Sequence, residues 1–174
     1  MLALAKLYEN DLKNELYKTW FLDKYKFYNA DIYYRELELE KDTWNKHQFV
    51  SLDKNDNVIG YIAYCVNRQL HSCCGLEIIN FTDNSVVFGL DIGQVLIDIF
   101  EKFHFNKLNF AVVIGNPIEE SYDKMIKKYG GRIVGIKRDN ARLIDGNFYD
   151  EKLYEITSDE YFNSKGYYKK GGLI

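Results

Sequence analysis

The sequence predicts an α/β (α+β) domain, with a mixed, mostly antiparallel central sheet flanked by helices. Short apolar or alternating runs of strand length recur along the chain. Between them lie stretches with an apolar residue every three or four positions, and Gly, Asn and Asp mark the junctions. The resulting order is β-α-α-β-β-β-α-β-α-β-β, which calls for a sheet covered by helices. At 174 residues, with 47% hydrophobic and 28% charged residues well mixed, the chain is long enough to bury one core without staples.

Leu2, Leu4 and Leu7 alternate with small or polar residues, as in a first strand. Asn10 or Asp11 can cap a helix carrying Leu12, Leu16 and Trp20 at four-residue spacing. A second helix is expected from about Ala30 to Trp44, with Ile32, Tyr33 and Leu37 on its covered face. From His47 the period changes to two. Q-F-V-S-L-D and V-I-G-Y-I-A-Y-C-V, joined by K-N-D-N, make a hairpin, and H-S-C-C-G-L-E-I-I-N-F follows as the next strand. Its alternation predicts Cys73, Gly75, Glu77, Ile79 and Phe81 on one face.

In V-V-F-G-L-D-I-G-Q-V-L-I-D-I-F, the residues Ile92, Val95, Leu96, Ile99 and Phe100, with Phe103, form one helical stripe. K-L-N-F-A-V-V-I reads as a central strand covered on both sides. Asn116 can cap the next helix, Pro117 suits its first position, and Glu119 completes a capping box. That helix bears Ile118, Tyr122, Met125, Ile126 and Tyr129 and stops at Gly130-Gly131. Two strands, R-I-V-G-I-K-R and Y-D-E-K-L-Y-E-I-T, flank D-N-A-R-L-I-D-G-N-F and close the sheet. The expected organisation is a single domain over residues 1–157 and a loosely attached tail over 158–174.

Composition narrows the function. With 23 basic and 26 acidic residues and a net charge of −3, no dedicated nucleic-acid surface is expected. No apolar run approaches the roughly 20 residues of a membrane helix. The first residues lack the pattern of a signal peptide, so a cytoplasmic location is expected. Three cysteines, two of them adjacent, fit reduced thiols better than a disulfide framework. His47, His71 and His104 show no paired ligand spacing, and no metal site is expected. Cys73 and Cys74 read as small buried hydrophobes rather than nucleophiles.

Four features in this order resemble the GNAT superfamily of acyl-coenzyme A dependent N-acyltransferases. They are the hairpin ending V-I-G-Y-I, the strand–loop–helix from Glu77 to Phe103, the strand ending at Asn116, and K-K-Y-G-G-R-I-V-G. The likeness spans roughly Leu2 to Thr157. It implies a GNAT-like fold, acetyl-coenzyme A as co-substrate, and a loop of the form Gln/Arg-x-x-Gly-x-Gly/Ala whose amides hold the diphosphate. In register, that loop is Phe88-Gly89-Leu90-Asp91-Ile92-Gly93, the expected cofactor-binding segment. Phe88 departs from the family's first position, and Asp91 replaces its middle glycine. A carboxylate there would repel a diphosphate by about 1–4 kcal/mol, unless it turned away to the helix.

Acyl transfer to an amine needs a base, a donor for the oxyanion and a route to protonate the leaving thiolate. The resemblance implies Glu77 as the base and Asn116 as a contact of the pantetheine arm. The family's phenolic acid falls on Ile126, which leaves Tyr122, one turn earlier, or Tyr129 as the nearest phenol. The acceptor is expected to be a small amine or a peptide amine, lined by Trp20, Tyr25, Tyr28, Tyr33 and Tyr34 and by Arg142, Asp145 and Tyr149 of the last hairpin. The implied reaction is acetyl transfer to a primary amine by direct attack in a ternary complex. The alternative is a catalytically inactive binding or regulatory module, and a homodimer through sheet edges is an associated expectation.

Overall fold

The computed structural model describes residues 1–20, 22–28, 37–82 and 86–166. Period-two alternation from residue 46 onward produces strands β2 (Lys46–Leu52), β3 (Val58–Asn67) and β4 (Ser72–Asn80), an antiparallel meander. The predicted turn forms around Asp53, whose carboxylate accepts hydrogen bonds from the amides of Asn55 and Asn57. A short strand β1 (Leu2–Leu4) pairs with β2, and the chain then enters a 3-10 turn at Ala5–Tyr8. Leu7 therefore lies on that turn, 76% exposed, and not on the strand.

Helix α1 (Glu9–Thr19) buries Leu12 and Leu16 as their spacing predicts. Asn10 and Asp11 sit inside its first turn and do not cap it, and Trp20 follows its last residue in extended geometry. The expected second helix does not extend over Leu37–Trp44, where the described chain is irregular; its earlier part lies outside the described residues. A polar anchor explains this path. Gln48 accepts from the Glu40 amide at 2.8 Å and donates to the Glu38 carbonyl at 3.1 Å, holding the segment extended against the sheet.

After β4 come α2 (Val86–Ile97), a π-helical turn at Asp98–Lys102 and strand β5 (Lys107–Val113). Helix α3 (Glu119–Tyr129) ends on Gly130, which takes φ 79°, and strands β6 (Arg132–Arg142) and β7 (Phe148–Thr157) form the last hairpin. Its strands extend beyond the predicted limits, and the reversal is confined to a turn closed by Leu143 and Asn147. Among the described residues the sheet has 7 strands in the order β1-β2-β3-β4-β5-β7-β6, antiparallel at each junction except β4–β5. The predicted mixed, mostly antiparallel sheet is what forms.

The tail expectation is corrected at its start. Residues Ser158–Ser164 form α4, closed by a capping box between Thr157 and Glu160. Tyr161 is fully buried, stacks on Phe100 with ring centroids 4.6 Å apart, and donates to Glu101 at 2.6 Å. Residues 167–174 lie outside the described residues.

Two cores occupy the two faces of the sheet. Residues of α2, α3 and α4 pack on one face, around Ile62, Tyr64, Phe110 and Tyr154. Residues of α1 and its neighbours pack on the other, around Val50, Tyr61 and Ile79. Strand β5 is not equally covered on both sides as predicted. Leu108, Phe110 and Val112 are buried, whereas Lys107, Asn109 and Ala111 are only partly covered.

His47 is buried, and its Nδ1 lies 2.7 Å from the Tyr64 hydroxyl, among the rings of Phe49 and Phe103. Burial lowers its pKa from the ordinary 6.5. The unfolded chain then binds more protons than the folded one once pH drops below about 6.5, so stability falls on acidification, by at most about 1.4 kcal/mol per pH unit. Urea unfolding at pH 5.5 and 7.5 should show this loss, and His47→Phe should flatten it.

Candidate active site

Strands β4 and β5 pair only over Ser72↔Lys107, Cys73↔Leu108 and Cys74↔Asn109. Beyond that point they part. The cause is local to β4. Gly75 takes φ 64°, and the register with β3 slips between Ala63 and Cys65, so β4 carries one extra residue. Such a glycine bulge bends the strand and leaves its edge without a partner.

The bulge also overturns the predicted facing of β4. Cys73 and Leu76 belong to the core beneath α2, whereas Ile79 belongs to the opposite core. Glu77 alternates with its neighbours after the bulge and shares the face of Ile79, opposite Cys73. Alternation could not show this, because one inserted residue reverses every later side chain.

Where the strands part there is a cavity of about 620 Å³ that reaches both faces of the sheet. Its walls include Glu77 and Ile78 of β4, Ala111 and Val113 of β5, Asn116, Tyr122 of α3, Tyr28, and Arg142 of the last hairpin. Glu77, Asn116 and Tyr122, expected to act together, thus line one space. Lys46 donates to Glu77 Oε1 at 2.8 Å. Glu77 Oε2 is shut off from solvent with no partner among the described residues, and so is the Tyr28 hydroxyl. Burial raises the Tyr28 pKa well above its ordinary value, with the Glu77 charge adding to the shift. Two unpartnered polar atoms beside one cavity are unusual, because each forfeits the solvation it had in water.

The predicted capping box does not form: α3 begins at Glu119, Ile118 holds the position ahead of it with no side-chain cap, and Asn116 and Pro117 lie in the preceding turn. Asn116 Oδ1 accepts from the Ile118 amide at 3.1 Å, and Glu119 reaches back to the Gly115 amide instead of that of Asn116. Tyr122 is buried, edge-on to Phe110 with centroids 5.1 Å apart, and burial pushes its phenol above the ordinary range. Ile126 is buried in the same core. Tyr129 stacks on Tyr161 at 5.5 Å, away from the cavity walls. On the last hairpin, Tyr149 donates to Asp145 at 2.5 Å, so these two groups satisfy each other. Of the expected aromatic lining, Tyr33 and Tyr34 lie outside the described residues.

The cofactor segment is corrected in its conformation. Phe88, Gly89, Leu90, Asp91, Ile92 and Gly93 are not a loop but residues within α2. Phe88 is buried in the core, and Asp91 is 8% exposed. The Asp91 carboxylate accepts from Ser51 Oγ at 2.6 Å and lies 3.2 Å from the Met1 ammonium, which itself donates to the Leu52 carbonyl. It points inward to β1 and β2. The junction ahead of α2, residues 83–85, lies outside the described residues.

The same architecture occurs in solved structures. The spermidine/spermine N-acetyltransferase SpeG from Vibrio cholerae, in complex with manganese ions, matches with a TM-score of 0.59 and 21% identity, over 70% of each chain. The chain has the GNAT fold. A variant of the spermidine N-acetyltransferase SpeG from Vibrio cholerae matches at a TM-score of 0.59 and 21% identity, over 71% of this chain and 72% of that one. A chimera of SpeG with hSSAT matches at a TM-score of 0.58 and 21% identity, over 68% and 71%. No protein-family model matches the sequence, nor does any curated protein.

Asp91→Ala should lower the unfolding free energy by about 1–3 kcal/mol, because Ser51 loses a charged partner in a buried place. Urea titration checks this.

Proposed function

We propose that this chain is an N-acyltransferase that moves an acetyl group from acetyl-coenzyme A to a primary amine by direct attack in a ternary complex. The observation that carries this reading is the parting of β4 from β5 beside the unpartnered Oε2 of Glu77. The three neighbours named above are spermidine N-acetyltransferases, which supports a small amine as acceptor.

The residues present fit a coenzyme A thioester. Past Cys74 and Asn109 the facing edges of β4 and β5 lack each other as partners, and an extended amide-bearing arm can add to such edges as a strand does. Asn116, on the cavity wall, is placed to contact that arm. A helix N-terminus favours phosphate through its outward amides and dipole. The first turn of α2 carries no acidic residue, and the inward course of Asp91 removes the repulsion that the sequence implied. Within the segment Phe88–Gly93, Gly89 and Gly93 present open surface on which nothing lies within 4 Å of an added Cβ.

Acetyl-coenzyme A supplies the activated thioester. The chain's own residues handle the proton and the orientation. Lys46 fixes the Glu77 carboxylate at the cavity wall, where that group takes the proton of the incoming ammonium. The Tyr28 hydroxyl, buried beside that charge, orients the amine lone pair toward the thioester. Tyr122, with its phenol protonated across the physiological range, can donate to the leaving sulfur.

Thermal denaturation with acetyl-coenzyme A tests the reading. At 100 times the dissociation constant the co-substrate should add about 2.7 kcal/mol of stability. No shift at millimolar concentration would favour the inactive binding or regulatory module. Glu77→Gln should lower kcat by about 10²–10⁴-fold and keep the thermal shift. Tyr28→Phe should raise the KM for the amine, while stability rises slightly, by up to about 1 kcal/mol, as an unpartnered buried hydroxyl is removed.

A further inference from the structure

Cys65 of β3 and Cys74 of β4 are Cα partners across the hairpin, in the last regular pair before the Gly75 bulge. Directly opposed residues of an antiparallel ladder project to the same face, with Cα atoms about 4.5–5.5 Å apart. A disulfide spans Cα separations of about 4.4–6.8 Å. The sulfur of Cys65 is turned the right way: a Cβ built on Gly75, the residue after Cys74, would lie 3.9 Å from Cys65 Sγ. Both thiols are free; Cys74 is exposed, which corrects the buried place expected of it, and Cys65 is half-buried. Cys73 differs from both. It is fully buried in the opposite core, and burial pushes its thiol up to about 12.

We propose that Cys65 and Cys74 form a reversible dithiol–disulfide couple, oxidised by small-molecule disulfides. The proposal stands independently of the transferase reading. The exposed Cys74 thiolate attacks one sulfur of R–S–S–R, that bond breaks, and one R–S⁻ leaves. Cys65 then gives its proton to water, and its sulfur attacks Sγ of Cys74 in the mixed disulfide, expelling the second R–S⁻. Two protein thiols lose two electrons in total, and one disulfide is reduced to two thiols. The order follows from access, since Cys74 meets solvent while burial raises the Cys65 thiol above its ordinary range. The link would tie β3 to β4 at the root of the cleft, three residues before Glu77.

Incubating the whole chain with oxidised glutathione under native conditions, then reading intact mass and peptide linkage without reductant, tests the couple. The wild type should lose the mass of two hydrogen atoms, give a Cys65–Cys74 linked peptide within one chain, and recover with dithiothreitol. Cys73→Ser should behave identically. Cys65→Ser should stop at one glutathione on Cys74, and Cys74→Ser should take up none. An unmodified wild type, a stable glutathione adduct, a link through Cys73 or a link between two chains would each overturn the proposal.

Discussion

One extra residue in β4 governs the site. Gly75 adopts a left-handed conformation that a side chain would resist, and the strand bends there away from β5. Without the bulge the two strands would continue to exchange hydrogen bonds, and no space would exist between them. With it, the sheet keeps its continuity through Ser72–Cys74 at one end and opens at the other. Glu77, brought to the face of Tyr61 and Ile79 by the same inserted residue, lines the opening.

The opening is braced from both sides. On one side the meander is secured by Gln48, which ties the Leu37–Glu40 segment to the sheet and also donates to the Tyr61 hydroxyl. On the other, Lys152 of β7 bridges Glu119 and Asp123 of α3, and Tyr154 donates to Asp123 at 2.8 Å. These partners raise the Lys152 pKa and lower those of Glu119 and Asp123, the direction expected of mutually stabilised charges. Helix α3 is thereby held against β7 with Tyr122 at the cavity wall. Beside this cavity, Glu77 Oε2 and Tyr28 OH are buried with no hydrogen-bond partner among the described residues.

Asp91 illustrates how a carboxylate at an unfavourable sequence position is accommodated. A buried charge requires a partner, and here Ser51 and the Met1 ammonium provide two. The group that sequence reasoning set against a diphosphate instead fastens α2 to the edge of the sheet. The hydrophobic stripe of α2 was legible in Val95, Leu96, Ile99 and Phe100, since its period is local and survives any tertiary context. The helix start was not legible. Phe88-Gly89 has the cadence of a loop, but Phe88 packs into the core and the helix begins earlier, at Val86.

The sequence by itself determined most element types, the mixed sheet and the glycine that ends α3, all of which rest on periodicity and on backbone preferences that act over a few residues. Glu77, Asn116 and Tyr122 were singled out through the family resemblance instead. Tertiary structure decided the facing of Glu77, the inward course of Asp91, the irregular path over Leu37–Trp44 and the packing of α4 by Tyr161. Each depends on a partner distant in the chain: Ala63 for Glu77, Ser51 for Asp91, Gln48 for Glu40, and Phe100 for Tyr161. A strand or helix pattern carries no record of which distant residue will complete a hydrogen bond or fill a face.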